Sequence, residues 1–309
     1  MKRLLGMLAI LVTLLSGCEQ RELCYDHSAH RASVSIEFDW SDAPEADPAT
    51  MVVYFFPTDN SMYKRFEFKA DGSESRNGFS ATVNVPVGTY NVVCFNGETE
   101  NNSEVGDAFP NFHLTTFDTG LLAPLNRSMD APKPDDTESQ PVRSQASALY
   151  SYTVPEPVSL KETAVETVVL KPQKKSATVR VSILNIKNMQ AGVEFCAVIS
   201  GLAESWYPSS GMPGGEEVLV PLMLTPDGDS LYGNMEVFGD NAPHDIRHKF
   251  RLYTSQKYYY DFDVTDQIHS AADPYNVDIF LSGIVLPENN GMDVSVDEWG
   301  QTENINIEM

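Results

Sequence analysis

The stretch Val83–Asn96 reads VNVPVGTYNVVCFN, and its reading decides the fold. Phe79–Val85 and Thr89–Phe95 are runs of β-branched and aromatic residues, which favour a pleated, half-buried surface. Pro86-Val87-Gly88 breaks them with residues suited to a tight turn. The stretch therefore reads as strand, turn, strand.

The same grammar continues on both sides. Val34, Ile36 and Phe38 alternate with polar neighbours, Met51–Phe56 is a continuous apolar run, and Tyr63–Phe68 follows. Downstream, Leu149–Val154 and Glu166–Leu170 resume the strand signal. Lys171-Pro172-Gln173-Lys174-Lys175 is polar and carries a proline, as a boundary does. A second series then runs through Ala177–Ile183, Val193–Ser200, Val218–Leu224, Leu231–Phe238, His248–Thr254, Tyr258–Val264, Val277–Leu281, Met292–Val296 and Ile305–Glu308. Many short strands predict an all-β chain of two tandem β-sandwich domains, residues 33–172 and 173–309. Asp263–Ala271 is the best helical piece. Leu121–Ser147 is rich in Pro, Asp and Ser, which predicts a disordered loop at 121–147 inside the first domain.

The N-terminus speaks of location. Lys2 and Arg3 precede an apolar run, Leu4–Leu15, and Leu15-Ser16-Gly17-Cys18 follows. A basic start and short apolar core make a secretory signal, residues 1–17, too short for the about 20 apolar residues that span a bilayer. Small residues before a cysteine match a bacterial lipobox. Cys18 is the expected lipidation site, with palmitate among its acyl chains, and residues 18–32 form a lipidated tether. Cys24, His27 and His30 have loosely zinc-like spacing, but a structural zinc takes four ligands. They are expected to dock the tether, and no metal or cofactor is expected. Acylation of Cys18 leaves three of the four cysteines, an odd number that argues against a disulfide framework. Cys94 and Cys196 lie in apolar runs and read as small buried hydrophobes.

With 44 acidic against 21 basic residues, the formal charge is −23, which disfavours nucleic acid as a partner. No phosphate-binding loop, nucleophile elbow or His-Glu-x-x-His motif occurs. Gly211-Met212-Pro213-Gly214-Gly215 reads as a flexible loop, and Pro226-Asp227-Gly228-Asp229 as a hairpin turn rather than a calcium loop. One or two of Tyr258, Tyr259 and Tyr260 must face outward on their strand. His244 and His248 have i,i+4 spacing, yet Pro243 and the aromatic strands nearby argue against a long helix there. A non-enzymatic protein is expected.

The order of motifs is a lipobox, CYDHSAH (24–30), VNVPVGTYNVVCFN, YYYDFDVTDQI (258–268), LSGIVLP (281–287) and VSVDEWGQTENINIEM (294–309). It resembles the FimB-like fimbrial anchor and assembly lipoproteins of Bacteroidota and, through CYDHSAH, their gut-species relatives with domains of unknown function. The resemblance covers most of residues 18–309. It implies two transthyretin-like (Ig-like Greek-key) sandwiches held on the outer membrane by the N-terminal lipid. Fimbrial subunits are the implied partners, with strand-mediated contact, and Ile305, Asn306, Ile307, Glu308 and Met309 form the candidate partner strand. The loop 121–147 departs from the family pattern. The alternative function is a surface lipoprotein that binds a glycan or another ligand without a polymer.

Overall fold

The computed structural model describes residues 30–59, 61–69, 80–97, 99–162, 165–240, 246–288 and 299–301. The first half carries β1 (Arg31–Phe38), β2 (Thr50–Pro57), β3 (Lys64–Lys69), β4 (Ser80–Pro86) and β5 (Gly88–Asn96). Shorter strands follow: β6 (Ser103–Val105), β7 (His113–Thr115), β8 (Tyr150–Thr153), β9 (Val158–Leu160), β10 (Glu166–Leu170) and β11 (Gln173–Lys174). The second half carries β12 (Ala177–Leu184), β13 (Phe195–Tyr207), β14 (Met212–Asp227), β15 (Ser230–Val237), β16 (Lys249–Thr254) and β17 (Tyr258–Asp263). A one-turn helix, α1 (Thr265–His269), precedes β18 (Asn276–Ser282), and β19 (Gly300–Gln301) comes last. The chain is all-β, as its alternation of apolar and polar residues predicts.

Pro86-Val87-Gly88 does not close a hairpin. β4 pairs with β1 in a three-stranded sheet, whereas β5 pairs with β2 in a six-stranded one. The turn therefore carries the chain from one layer of a sandwich to the other. The Tyr90 hydroxyl locks it by donating to the Pro86 carbonyl at 2.8 Å. Between the layers pack Val34, Ile36, Met51, Val53, Phe55, Val92 and Cys94, all fully buried. Each large apolar side chain buried in this way contributes about 1.5–3 kcal/mol.

The second half repeats the connectivity of the first. β1 lies between β4, antiparallel, and β10, parallel. β12 lies between β15, antiparallel, and β18, parallel. β2 sits between β3 and β5, and β13 between β14 and β16. β14 pairs with β13 over most of its length and with β15 at Thr225–Asp227, so it joins the two layers of the second sandwich. The turn after it places Gly228 at φ +62°, as a two-residue hairpin loop requires. The loop expected at Gly211–Gly215 is mostly strand: Met212, Pro213 and Gly214 pair with Tyr207, Trp206 and Ser205.

Two features differ from a picture of beads on a linker. β7, from the first half, pairs with β13 through Ser205↔Thr115 and Trp206↔Leu114. Around it, Tyr54, Phe56 and Phe95 of the six-stranded sheet share a core with Phe112, Leu114, Trp206 and Phe238. The expected division at 172/173 falls just before β11, which still pairs with β8 of the first sandwich.

The segment 121–147 is packed, and the expectation of disorder is corrected. Leu121, Leu122 and Leu125 cover Cys196, Val198, Leu219 and Tyr253 on the outer face of the second sandwich. The backbone is tied down too. Arg143 N–H donates to Leu219 O and Leu219 N–H to Pro141 O, both at 2.9 Å, and Ala146 N–H donates to Glu236 O at 2.8 Å. Composition suggested disorder because few large apolar residues anchor the segment and the backbone hydrogen bonds that join them leave no mark on composition.

Candidate functional site

A β-sandwich offers a partner strand its sheet edges, where backbone groups lack neighbours. The two ends of the large sheet are treated differently. β18 is covered at Phe280 by the side chain of Gln267, from α1. At the other end, Gly300 and Gln301 lie on β17 as β19, in parallel register Tyr258↔Gly300 and Tyr259↔Gln301.

Trp299 positions this added strand. Its indole N–H donates to Asp130 O at 2.9 Å, and its ring meets Tyr253 edge-on with centroids 5.5 Å apart. Gly300 N–H donates to Lys257 O at 3.0 Å. The anchor for Trp299 is thus the segment 121–147, held in turn by Arg251. The Arg251 side chain is 1% exposed and forms a bidentate pair with Asp261, with Nη2–Oδ2 at 2.6 Å. Its Nη1 donates to Lys133 O at 2.6 Å, and its guanidinium lies 4.2 Å from the Tyr259 ring centroid. Burial works against the charge, but the Asp261 carboxylate outweighs it and raises the guanidinium pKa. Tyr253 donates to Pro132 O at 2.6 Å. Of the three consecutive tyrosines, Tyr260 is buried, and Tyr259 faces Arg251.

The sequence candidates fall largely elsewhere. Cys18, Cys24, His27 and Ile305, Asn306, Ile307, Glu308 and Met309 lie outside the described residues. His30 immediately precedes β1, and its Nδ1 is 2.8 Å from Glu162 Oε2, within hydrogen-bond distance near the surface. The carbonyl of His30 accepts from Val87 N–H at 2.9 Å, so His30 touches the sheet-crossing turn. Sequence reasoning missed Arg251, which carries no motif, and the edge-covering role of Gln267, which lies inside YYYDFDVTDQI. It also missed a convergence of Asp240, His248 and His269, whose spacing in the chain gives no sign of their meeting.

The repeated sandwich connectivity defines the class of fold, and solved structures share it. A candidate adhesin from Bacteroides ovatus has 16% identity and a TM-score of 0.60, over 88% of this chain and 97% of its own. A candidate polysaccharide-binding protein (DUF1812) from Bacteroides thetaiotaomicron has 11% identity and a TM-score of 0.53, over 82% and 91%. The fimbrial anchor protein Mfa2 from Porphyromonas gingivalis has 13% identity and a TM-score of 0.51, over 82% and 90%. These likenesses concern the fold. Residues 17–222 match the domain of unknown function DUF5119, and the chain belongs to that family. Comparison with curated proteins gives no match.

Proposed function

We propose that the chain is a non-enzymatic cell-surface lipoprotein that anchors or caps a fimbria-like polymer. Lipid on Cys18 would hold it on the outer membrane, and residues 18–32 would lead to the first of two units, 33–172 and 173–309. The next subunit would pair at the β17 edge. The observation that carries this reading is β19 itself: this edge accepts an extended segment in register. Ile305–Met309 follow only a few residues later and would extend or exchange that pairing. The fold shared with a fimbrial anchor protein supports the same reading.

The alternative is glycan binding at the cell surface. It is favoured by a shallow depression of about 630 Å³ on the outer face of β12, β14 and β15, lined by Arg180, Met223, Tyr232 and Asn234. Tyr232 is 43% exposed there and offers a ring to a sugar face. The fold shared with a candidate polysaccharide-binding protein agrees with it. Deleting the gene and imaging the surface separates the two. Loss, shedding or altered length of fibres supports the anchor; unchanged fibres reject it. Capture of the native lipoprotein from cell envelopes then identifies the partner.

A further inference from the structure

The ends of β15, β16 and α1 bring Asp240, His248 and His269 together, with one ligand atom from each within 4.8 Å of the others. Asp240 follows β15 and forms an antiparallel bridge with Leu202. His248 immediately precedes β16, and His269 ends α1. His248 Nε2 is 3.1 Å from Asp240 Oδ1, and His269 Nε2 is 3.6 Å from Asp240 Oδ2. The two imidazole rings stand edge to face, 5.0 Å apart.

His248 is the informative member, since its side chain is 0% exposed. Its Nδ1 lies 2.8 Å from the Ser200 carbonyl, which can only accept, so Nδ1 carries the proton. In the neutral ring Nε2 is then a lone pair. It is buried and makes no hydrogen bond among the described residues, although a carboxylate oxygen stands 3.1 Å away. Two acceptors facing each other in a buried site repel unless a proton or a metal cation lies between them. The site is also built to hold that ring. Gly201 sits in a bulge of β13 at φ +75°, and a Cβ there would lie 3.0 Å from His248 Nδ1.

We infer that Asp240, His248 and His269 form a binding site for a borderline divalent transition metal, with zinc as its probe. Two imidazole nitrogens and one carboxylate suit such an ion and do not suit calcium or magnesium, which prefer oxygen ligands. Neighbouring ligands of a tetrahedral zinc with bonds of about 2.0–2.2 Å stand about 3.3–3.6 Å apart. The observed 3.1 and 3.6 Å bracket that spacing closely. The Ser200 carbonyl supplies the outer hydrogen bond that fixes a ligating histidine's tautomer. Water would take the fourth position. The ion would clip α1, whose Gln267 covers the edge of β18, to the ends of β15 and β16.

The test uses untagged full-length chain in detergent, purified without chelators. Elemental analysis, zinc titration of the chelator-treated protein, and the absorption spectrum of a cobalt-substituted sample are measured together. Expected are one zinc at this site and a tetrahedral cobalt spectrum. The affinity should fall by roughly tenfold or more in both His269→Ala and Asp240→Asn. Circular dichroism checks that the variants fold, and His269→Gln replaces any variant that does not. Absence of zinc or cobalt binding overturns the proposal. So does zinc binding of equal affinity in folded His269→Ala and Asp240→Asn, which would place the ion elsewhere, for example at Cys24, His27 and His30.

Discussion

The carboxamide of Gln267 makes both hydrogen bonds that a neighbouring strand would make to Phe280. Its Oε1 accepts from Phe280 N–H at 2.7 Å, and its Nε2 donates to Phe280 O at 3.2 Å. A side chain from α1 thus stands in for a strand at the end of the large sheet. Phe280 itself is 54% exposed, so an uncovered edge would present apolar surface beside unpaired backbone.

Gln267→Ala is expected to cost only about 1–2 kcal/mol of stability, the worth of one or two partly exposed hydrogen bonds. Its larger effect should be on association, because the freed edge can pair with a second copy. Sedimentation velocity over a concentration series reads this directly. A variant that stays monomeric wherever the parent does would show that Gln267 is not what protects the edge.

Arg251→Met should destabilise the chain by about 3 kcal/mol, since it breaks a buried bidentate pair with Asp261 and removes the clamp on Lys133. Asp135→Ala should change stability by no more than about 1 kcal/mol, because that carboxylate is 80% exposed. Chemical denaturation measures both. Limited proteolysis should cut Arg251→Met first within residues 127–136. In the parent this segment should resist, since Ala131 packs on the Cys196–Leu219–Tyr253 cluster and the Pro132 and Lys133 carbonyls accept from Tyr253 and Arg251. Equal protease resistance in the two proteins would remove Arg251 as the clamp.

Cys196 is fully buried, and burial pushes its thiol up to about 12, against a smaller opposing effect of Arg127. Burial raises the Cys94 thiol as well. A raised folded pKa means that the protonated thiol stabilises the native state fully below the unfolded value of about 8.5. That contribution is lost as pH rises through the folded value. Stability should therefore fall above about pH 8.5. Cys94 and Cys196 should resist iodoacetamide in native protein at pH 8 and react after denaturation, as mass spectrometry of tryptic peptides would show. Rapid alkylation of the native chain at either residue would contradict the packing.

Much of the fold was legible because a strand writes its burial into its alternation. Ala177, Val179, Val181 and Ile183 point to one core, and the sequence shows them at every second position. Which strand pairs with which was not legible. Val83–Asn96 looks like a hairpin, and only the partners β1 and β2 show that its turn crosses between layers. The segment 121–147 was misread because its order comes from only three leucines, from backbone bonds and from a remote arginine. The edge site was half legible. Trp299 and Tyr253 stand out as aromatics, but their meeting depends on Asp130, far from both in the chain.

If β19 marks the place where a partner strand joins, loosening it should change assembly before it changes folding. Trp299 contributes one hydrogen bond and a half-buried ring, so Trp299→Ala should cost about 1–3 kcal/mol, well within the margin of a stable domain. Ile305→Pro removes a backbone donor, which edge pairing needs and a folded core elsewhere does not. Charge changes on the same segment should do little, because pairing runs through the backbone. Each variant is expressed in place of the parent, checked for folding and surface amount, and the fibres are imaged and measured. Shortened, shed or absent fibres in Trp299→Ala and Ile305→Pro, with normal fibres in Glu308→Gln, fit strand-mediated contact at this edge. Normal fibres in both edge variants, where the gene deletion has none, would move the contact to another edge of the molecule.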